Sequence, residues 1–230
     1  MSGDPASPPC LAGTAGGVRF SGDPADFDQV RRWRDAERER LRAERKAMPV
    51  ATREAGTEAL AGHLDRFLSD QGIDPKGLVV GSYWPIKAEP DLRDWFARLR
   101  ARGAVMALPV PVSPPQPMTF RLWQDGAKLE KGFGNIPVPP EDAPQVTPGM
   151  VFAPLIGWDD AGYRLGYGAG YFDRTLAALT DIPLVLGVGW QTARIATVVP
   201  QRHDVPMHAI LTEDGLQVLR RPLPLARGWA

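Results

Sequence analysis

Three glycines, Gly166, Gly168 and Gly170, alternate with Tyr167, Ala169 and Tyr171, with Arg164 ahead of them and Asp173 behind. Glycine tolerates positive φ and lets backbone approach a ligand closely. Successive backbone N–H groups leading into a helix make an anion site, which the helix dipole strengthens. An arginine at its front can grip phosphate oxygens with paired donors, and a carboxylate at its back can hold a metal ion that bridges phosphates. The run lacks the Gly-Lys-Ser/Thr ending of a P-loop, and its spacing differs from the dinucleotide fingerprint. A tight strand-to-helix turn would also need glycines for geometry alone, so the spacing by itself does not name a ligand.

The surrounding pattern supplies elements to position such a loop. Met150 to Ile156 is an apolar run that predicts a strand before the glycines, and Tyr171 to Leu179 has the character of a helix after them. Upstream, Asp26 to Met48 reads as a charged helix whose exposed face is laced with local ion pairs. A second helix carries Leu60, Leu64, Phe67 and Leu68 on one face. Strands are expected at Leu78 to Trp84, Ala104 to Val110, Met118 to Trp123, Leu184 to Val188 and His208 to Leu211, with a helix over Asp91 to Arg102 that Gly103 ends. This alternation predicts an α/β protein: a three-layer α/β/α domain with a mostly parallel central sheet, over residues 26–230. Ligands in such sheets bind beyond the carboxyl ends of the strands, where the glycine run lies. Residues 1–25, rich in Gly, Pro, Ser and Ala, are expected to be a flexible extension.

Composition narrows the function classes. Twenty-seven basic and twenty-seven acidic residues cancel, which gives no reason to expect nucleic acid or an anionic membrane as partner. No apolar run approaches the roughly 20 residues of a membrane span. With one cysteine, Cys10, no intrachain disulfide can form. A cytoplasmic protein, monomeric and working on a small molecule, is the expectation.

The string from Gly162 to Arg174, GYRLGYGAGYFDR, closely resembles the signature of the 5-formyltetrahydrofolate cyclo-ligase family, and Val151 to Asp159 resembles its lead-in. The segments Tyr83 to Asp91, Gly132 to Pro137 and Pro200 to Pro206 resemble further family elements in the same order, so the likeness runs from about Arg34 to Glu213. It implies an enzyme that converts 5-formyltetrahydrofolate, with or without a polyglutamyl tail, to 5,10-methenyltetrahydrofolate with ATP and Mg²⁺, releasing ADP and phosphate through a phosphorylated formyl group. It further implies that Arg34, Arg38 and the run Arg164, Leu165, Gly166, Tyr167, Gly168, Ala169, Gly170, Tyr171 and Phe172 bind ATP. Trp84, Glu89, Tyr167, Gly168, Ala169, Gly170 and Tyr171 would bind the folate, with Glu89, Arg164 and Tyr171 at the reacting centre and Asp173 and Asp204 as magnesium ligands. Arg34 and Arg38 stand one helical turn apart, as residues reaching for one ligand should.

The chain departs from the family pattern with Arg34 in place of the usual Lys, His208 in place of Asp, and Gly189-Trp190 in place of Ala-Phe near the folate side. His203 and His208, five apart without other ligands, are a weak zinc signal. These departures leave two alternatives: a paralogue acting on another formyl or pterin acceptor, or a non-catalytic folate- or nucleotide-binding protein.

Overall fold

The computed structural model describes residues 19–112, 116–124 and 126–224. Cys10 and most of the expected N-terminal extension lie outside them. The first helix, α1 (Phe27–Ala47), is capped by Asp26, whose carboxylate accepts the N–H groups of Asp28 and Gln29. It stops at Met48, which adopts the extended conformation forced on a residue before proline. Local ion pairs do lace α1, as Arg31–Asp28, Arg38–Asp35 and Arg40–Glu37 show. The helix is not merely a solvated face, however: Glu37 and Arg45 are buried, and Arg34 reaches across to Asp204.

Helix α2 (Val50–Asp70) is followed by β1 (Val79–Gly81), α3 (Arg93–Ala101), β2 (Val105–Val110) and β3 (Thr119–Leu122). Next come β4 (Glu130–Lys131), a short 3-10 turn (Phe133–Asn135), β5 (Pro137–Val138), β6 (Gln145–Val146) and β7 (Met150–Pro154). The chain then forms β8 (Gly157–Trp158), β9 (Arg164–Leu165), α4 (Tyr171–Ala178), β10 (Leu184–Val188), β11 (Ala209–Thr212) and β12 (Gly215–Leu219). Eight strands make one sheet in the order β12-β11-β10-β7-β1-β2-β3-β6. Its five central strands are parallel, and β12, β3 and β6 join antiparallel at the edges.

Alternation along the strands sorts side chains to two covered faces. Phe152 and Leu186 pack with Leu64 of α2 and Phe96 of α3 in one cluster, whereas Ala153 and Val185 pack with Leu41 of α1 and Leu176 of α4 in another. The expected three-layer arrangement is thus present.

Three expectations are corrected. The strand at 78–84 is cut to Val79–Gly81: Ser82 still donates its N–H and hydroxyl to the Ala107 carbonyl, after which the chain curls over the end of the sheet. The glycine run does not follow the β7 strand directly, because the hairpin β8–β9 intervenes and Arg164-Leu165 is its returning strand. The strand β12 was not anticipated; it closes the sheet edge against Ala209 to Thr212.

Candidate active site

The parallel strands β1, β2 and β7 all point their carboxyl ends at a cavity of about 680 Å³. Helix α1 contributes Arg34, Arg38 and Arg42 to its wall. The loop after β1 contributes Tyr83, Trp84, Ile86, Lys87 and Glu89, and the turn at Phe133 to Ile136 covers one side. The glycine loop and the start of α4 form the floor from Gly166 to Asp173, and His203 and Asp204 enter from the connection between β10 and β11. Of the residues expected from the sequence to bind ATP, folate or metal, only Leu165 is absent from the lining: it is 1% exposed and packs in the core beside α1.

The glycine loop has the backbone its composition predicts. Gly168 sits at φ 98° and Gly170 at φ 63°, the latter as the left-handed residue that starts α4 without a side-chain cap. Among the described residues, the N–H groups of Tyr167, Gly168, Ala169 and Gly170 donate to nothing else in the protein. They form an unsatisfied donor array at a helix N-terminus. Arg38 Nε steadies the loop by donating to the Gly166 carbonyl at 2.7 Å.

Two carboxylates flank this array. Asp173 accepts from Arg164 at 2.7 Å and from the Val205 N–H at 3.2 Å, which brings it beside Asp204. Asp204 accepts from Arg34 and from the Gln201 N–H. Burial would push the Asp204 carboxyl up, but these partners outweigh it and the net shift is downward, so it is held ionised. Two carboxylates from adjoining elements suit magnesium, which takes one or two carboxylates together with substrate phosphates and waters. Among the described residues no group of three His, Cys, Asp or Glu exists that would cage a metal by itself, and His208 instead accepts the Val185 N–H through Nδ1.

The rest of the lining is aromatic and apolar. The Trp84 ring meets Trp123 edge-on at 6.2 Å and lies under the Arg93 guanidinium. Pro109, Pro111, Met118 and Phe133 complete the apolar wall. Glu89 is 6% exposed there and accepts from the Ile86 N–H at 2.9 Å and the Tyr167 hydroxyl at 3.0 Å. Burial pushes its carboxyl above the usual range, opposed by the Ile86 N–H, Arg45, Tyr167 and Lys87. Tyr171 donates its hydroxyl to the Val112 carbonyl at 2.8 Å, and its ring meets Phe133.

Residues 30–213 match the 5-formyltetrahydrofolate cyclo-ligase family. The chain belongs to that family. Over 184 residues it is 31% identical to a 5-formyltetrahydrofolate cyclo-ligase of Mycolicibacterium smegmatis, covering 76% of this chain and 92% of that protein. A 63-residue stretch is 33% identical to the Haemophilus influenzae 5-formyltetrahydrofolate cyclo-ligase, covering 27% and 34% of the two chains. Two solved structures share the fold. A 5,10-methenyltetrahydrofolate synthetase from Mycoplasma pneumoniae has a TM-score of 0.64 at 20% identity, over 78% of this chain and 98% of that one. The Aquifex aeolicus 5,10-methenyltetrahydrofolate synthetase has a TM-score of 0.68 at 23% identity, over 85% and 97%. Family and relatives support 5-formyltetrahydrofolate cyclo-ligase activity. Among the described residues no helix is long and apolar enough to cross a membrane.

Within this family frame, two departures change meaning. Trp190 was expected to reshape the folate side, yet it is 1% exposed and does not line the cavity. Its ring lies against Gly56 of α2, and its Nε1 donates to the Ala88 carbonyl at 3.0 Å. It therefore braces the loop that carries Glu89 from behind. Gly189 and His208 do not line the cavity either. Conversely, Arg42 and Lys87 were overlooked. Arg42 continues the four-residue step from Arg34 through Arg38, and that spacing was the available signal.

Proposed function

We propose that this protein converts 5-formyltetrahydrofolate to 5,10-methenyltetrahydrofolate at the expense of ATP, which becomes ADP and phosphate. The observation that carries this reading is one cavity with two chemically distinct linings: a backbone donor array flanked by arginines, and an aromatic wall with a buried carboxyl. The donor array and Arg34, Arg38, Arg42 and Arg164 suit a triphosphate. Trp84 offers a face for a pterin, and Glu89 an acceptor for its ring N–H groups.

In this reading the formyl oxygen attacks the γ-phosphorus and the bond to ADP breaks. The second folate nitrogen then attacks the formyl carbon and gives up its proton, the ring closes, and phosphate leaves with the former formyl oxygen and carries that proton away. The chain supplies position and charge neutralisation more than a strong base. Glycine-loop N–H groups and Arg164 hold the transferred phosphoryl oxygens, Tyr171 and Glu89 orient the folate, and the turn at Phe133 shields the centre from water. Asp173 and Asp204 would hold Mg²⁺, which neutralises phosphate charge when bound.

Purified protein with ATP, MgCl₂ and 5-formyltetrahydrofolate should show the near-ultraviolet absorbance of the methenyl product growing with time. Tight folate binding without that absorbance would overturn the assignment in favour of a binding protein. The case for a different acceptor rested on Gly189, Trp190 and His208, none of which faces the cavity.

A further inference from the structure

Arg45 lies in the last turn of α1, is 4% exposed, and does not line the cavity. Its Nη1 donates to the Leu155 carbonyl at 3.3 Å and its Nη2 to the Tyr167 hydroxyl at 2.8 Å, while its buried Nε has no partner among the described residues. A buried guanidinium ordinarily pairs with a carboxylate. Among the described residues none forms an ion pair with Arg45. What Arg45 meets instead is a hydroxyl whose other side faces Glu89, itself 6% exposed. A phenol has one proton to give. With Arg45 donating to the tyrosine oxygen, that proton is directed onto Glu89, so a buried guanidinium and a buried carboxyl are joined through one hydroxyl with a fixed sense.

We propose that Arg45 is a positioning residue: by occupying the acceptor side of the Tyr167 hydroxyl it fixes that hydroxyl onto Glu89 and so sets the carboxyl's orientation in the cavity. This rests on the reading of Glu89 as a group facing the folate. Arg45 cannot touch substrate itself, and its effect passes from α1 through the glycine loop to the loop after β1. Bound folate and the glycine loop would thereby be sensed together, because Tyr167 belongs to both.

The charged surroundings of Glu89 are specific enough to test. On its own loop stand Lys87, whose ammonium lies 5.1 Å from the Tyr167 ring centre, together with Tyr83 and Asp91. Arg45 faces it from α1 and Tyr167 from the glycine loop, while Arg53, Glu54 and Glu58 of α2 line the cavity behind the loop. Arg34, Arg38, Arg42 and Arg164 share the front cavity, with Asp173, His203 and Asp204 at its far side. Burial raises the Glu89 carboxyl, and Arg45 and the Tyr167 hydroxyl both oppose that rise. Removing either lets the carboxyl titrate at higher pH.

The test uses the full-length chain and the variants Arg45→Met, Arg45→Lys and Tyr167→Phe. Glu89 is followed by ¹³C-carboxyl NMR titration, with Glu89→Gln to assign the signal, alongside the pH profile of kcat/KM. The titration and the acid limb should move up by roughly 0.5–1 pH unit in Arg45→Met and in Tyr167→Phe, and Arg45→Lys should restore part of the difference. The double variant should shift by less than the sum of the two single ones, since part of the Arg45 effect passes through the Tyr167 hydroxyl. A purely structural Arg45 would lower stability and leave the Glu89 titration in place, which would overturn the proposal. Should Arg45→Met fail to fold, Tyr167→Phe and Arg45→Lys decide the matter by the same measure. The titration needs no turnover, so loss of the proposed activity and loss of this relay are read separately.

Discussion

Asp173 is held by Arg164 on one oxygen and by the Val205 N–H on the other. Asparagine keeps the shape and one acceptor but loses the charge that a divalent cation needs. Asp173→Asn should retain the fold at a cost of about 1–3 kcal/mol, because the buried Arg164 loses its carboxylate partner, and lose Mg²⁺-dependent turnover by a factor on the order of 10²–10³. Turnover within a few-fold of normal at saturating magnesium would contradict the metal assignment. At this scale the sequence was informative wherever a residue stood inside the matched segments: Trp84, Glu89, Arg164, Asp173 and Asp204 all line one cavity. It was uninformative for Arg45, because spacing puts Arg38, Arg42 and Arg45 on neighbouring turns of one side and does not show which of them is buried away from the cavity. That choice depends on Tyr167, 122 positions away, whose hydroxyl is the only side-chain group to which Arg45 donates among the described residues.

Between residue and fold lies the loop from Tyr83 to Asp91, whose shape is set from outside. Lys87 and Ala88 both adopt positive φ, 48° and 62°, a conformation that costs non-glycine residues roughly 1–2 kcal/mol each. Three contacts offset this: the Ile86 N–H bonds to Glu89, the Tyr83 hydroxyl donates to the Pro90 carbonyl, and Trp190 Nε1 donates to the Ala88 carbonyl. Trp190→Phe keeps most of the buried ring and deletes the last of these. Stability should fall by about 1–2 kcal/mol, and KM for the folate should rise several-fold with kcat less affected. Thermal melts and steady-state kinetics measure both, and an unchanged KM would show that the brace does not govern Glu89. The two long helices were legible, α1 from its run of closely spaced opposite charges before Pro49 and α2 from Leu60, Leu64, Phe67 and Leu68 on one face. The hairpins β4–β5 and β8–β9 were not, since strands of two residues are too short to show any period.

For the whole molecule, the sheet's edge ties folding to pH through His208. Burial, and then the charge of Arg220, hold its imidazole below the ordinary 6.5. The folded protein therefore binds fewer protons than the unfolded chain between that lowered value and about 6.5, and stability is lost as pH falls through this window. Protonation would also end acceptance of the Val185 N–H at Nδ1, which lies 3.0 Å away at the edge of the parallel core. Glu89, raised by burial, works in the opposite sense above its ordinary 4.5. His208→Asn, which cannot titrate, isolates the histidine: the difference in urea midpoint between pH 7.5 and 5.5 should shrink. A difference as large as in the unaltered protein would remove His208 from the account. The three layers and parallel core were readable from the alternation of apolar strands and helices, whereas β12 was hidden because Gly215 to Leu219 mixes exposed and buried positions in a short polar-flanked run.

Phosphoryl transfer and ring closure share one cavity in the proposed reaction, so the most direct measurement follows both at once. In a single mixture of protein, ATP, MgCl₂ and 5-formyltetrahydrofolate, methenyl product is read by absorbance and ADP by chromatography over the same time course. The account predicts one ADP for each methenyl group formed and neither product when either substrate is omitted. Methenyl product formed without ADP, or ADP released at the same rate without the folate, would contradict it.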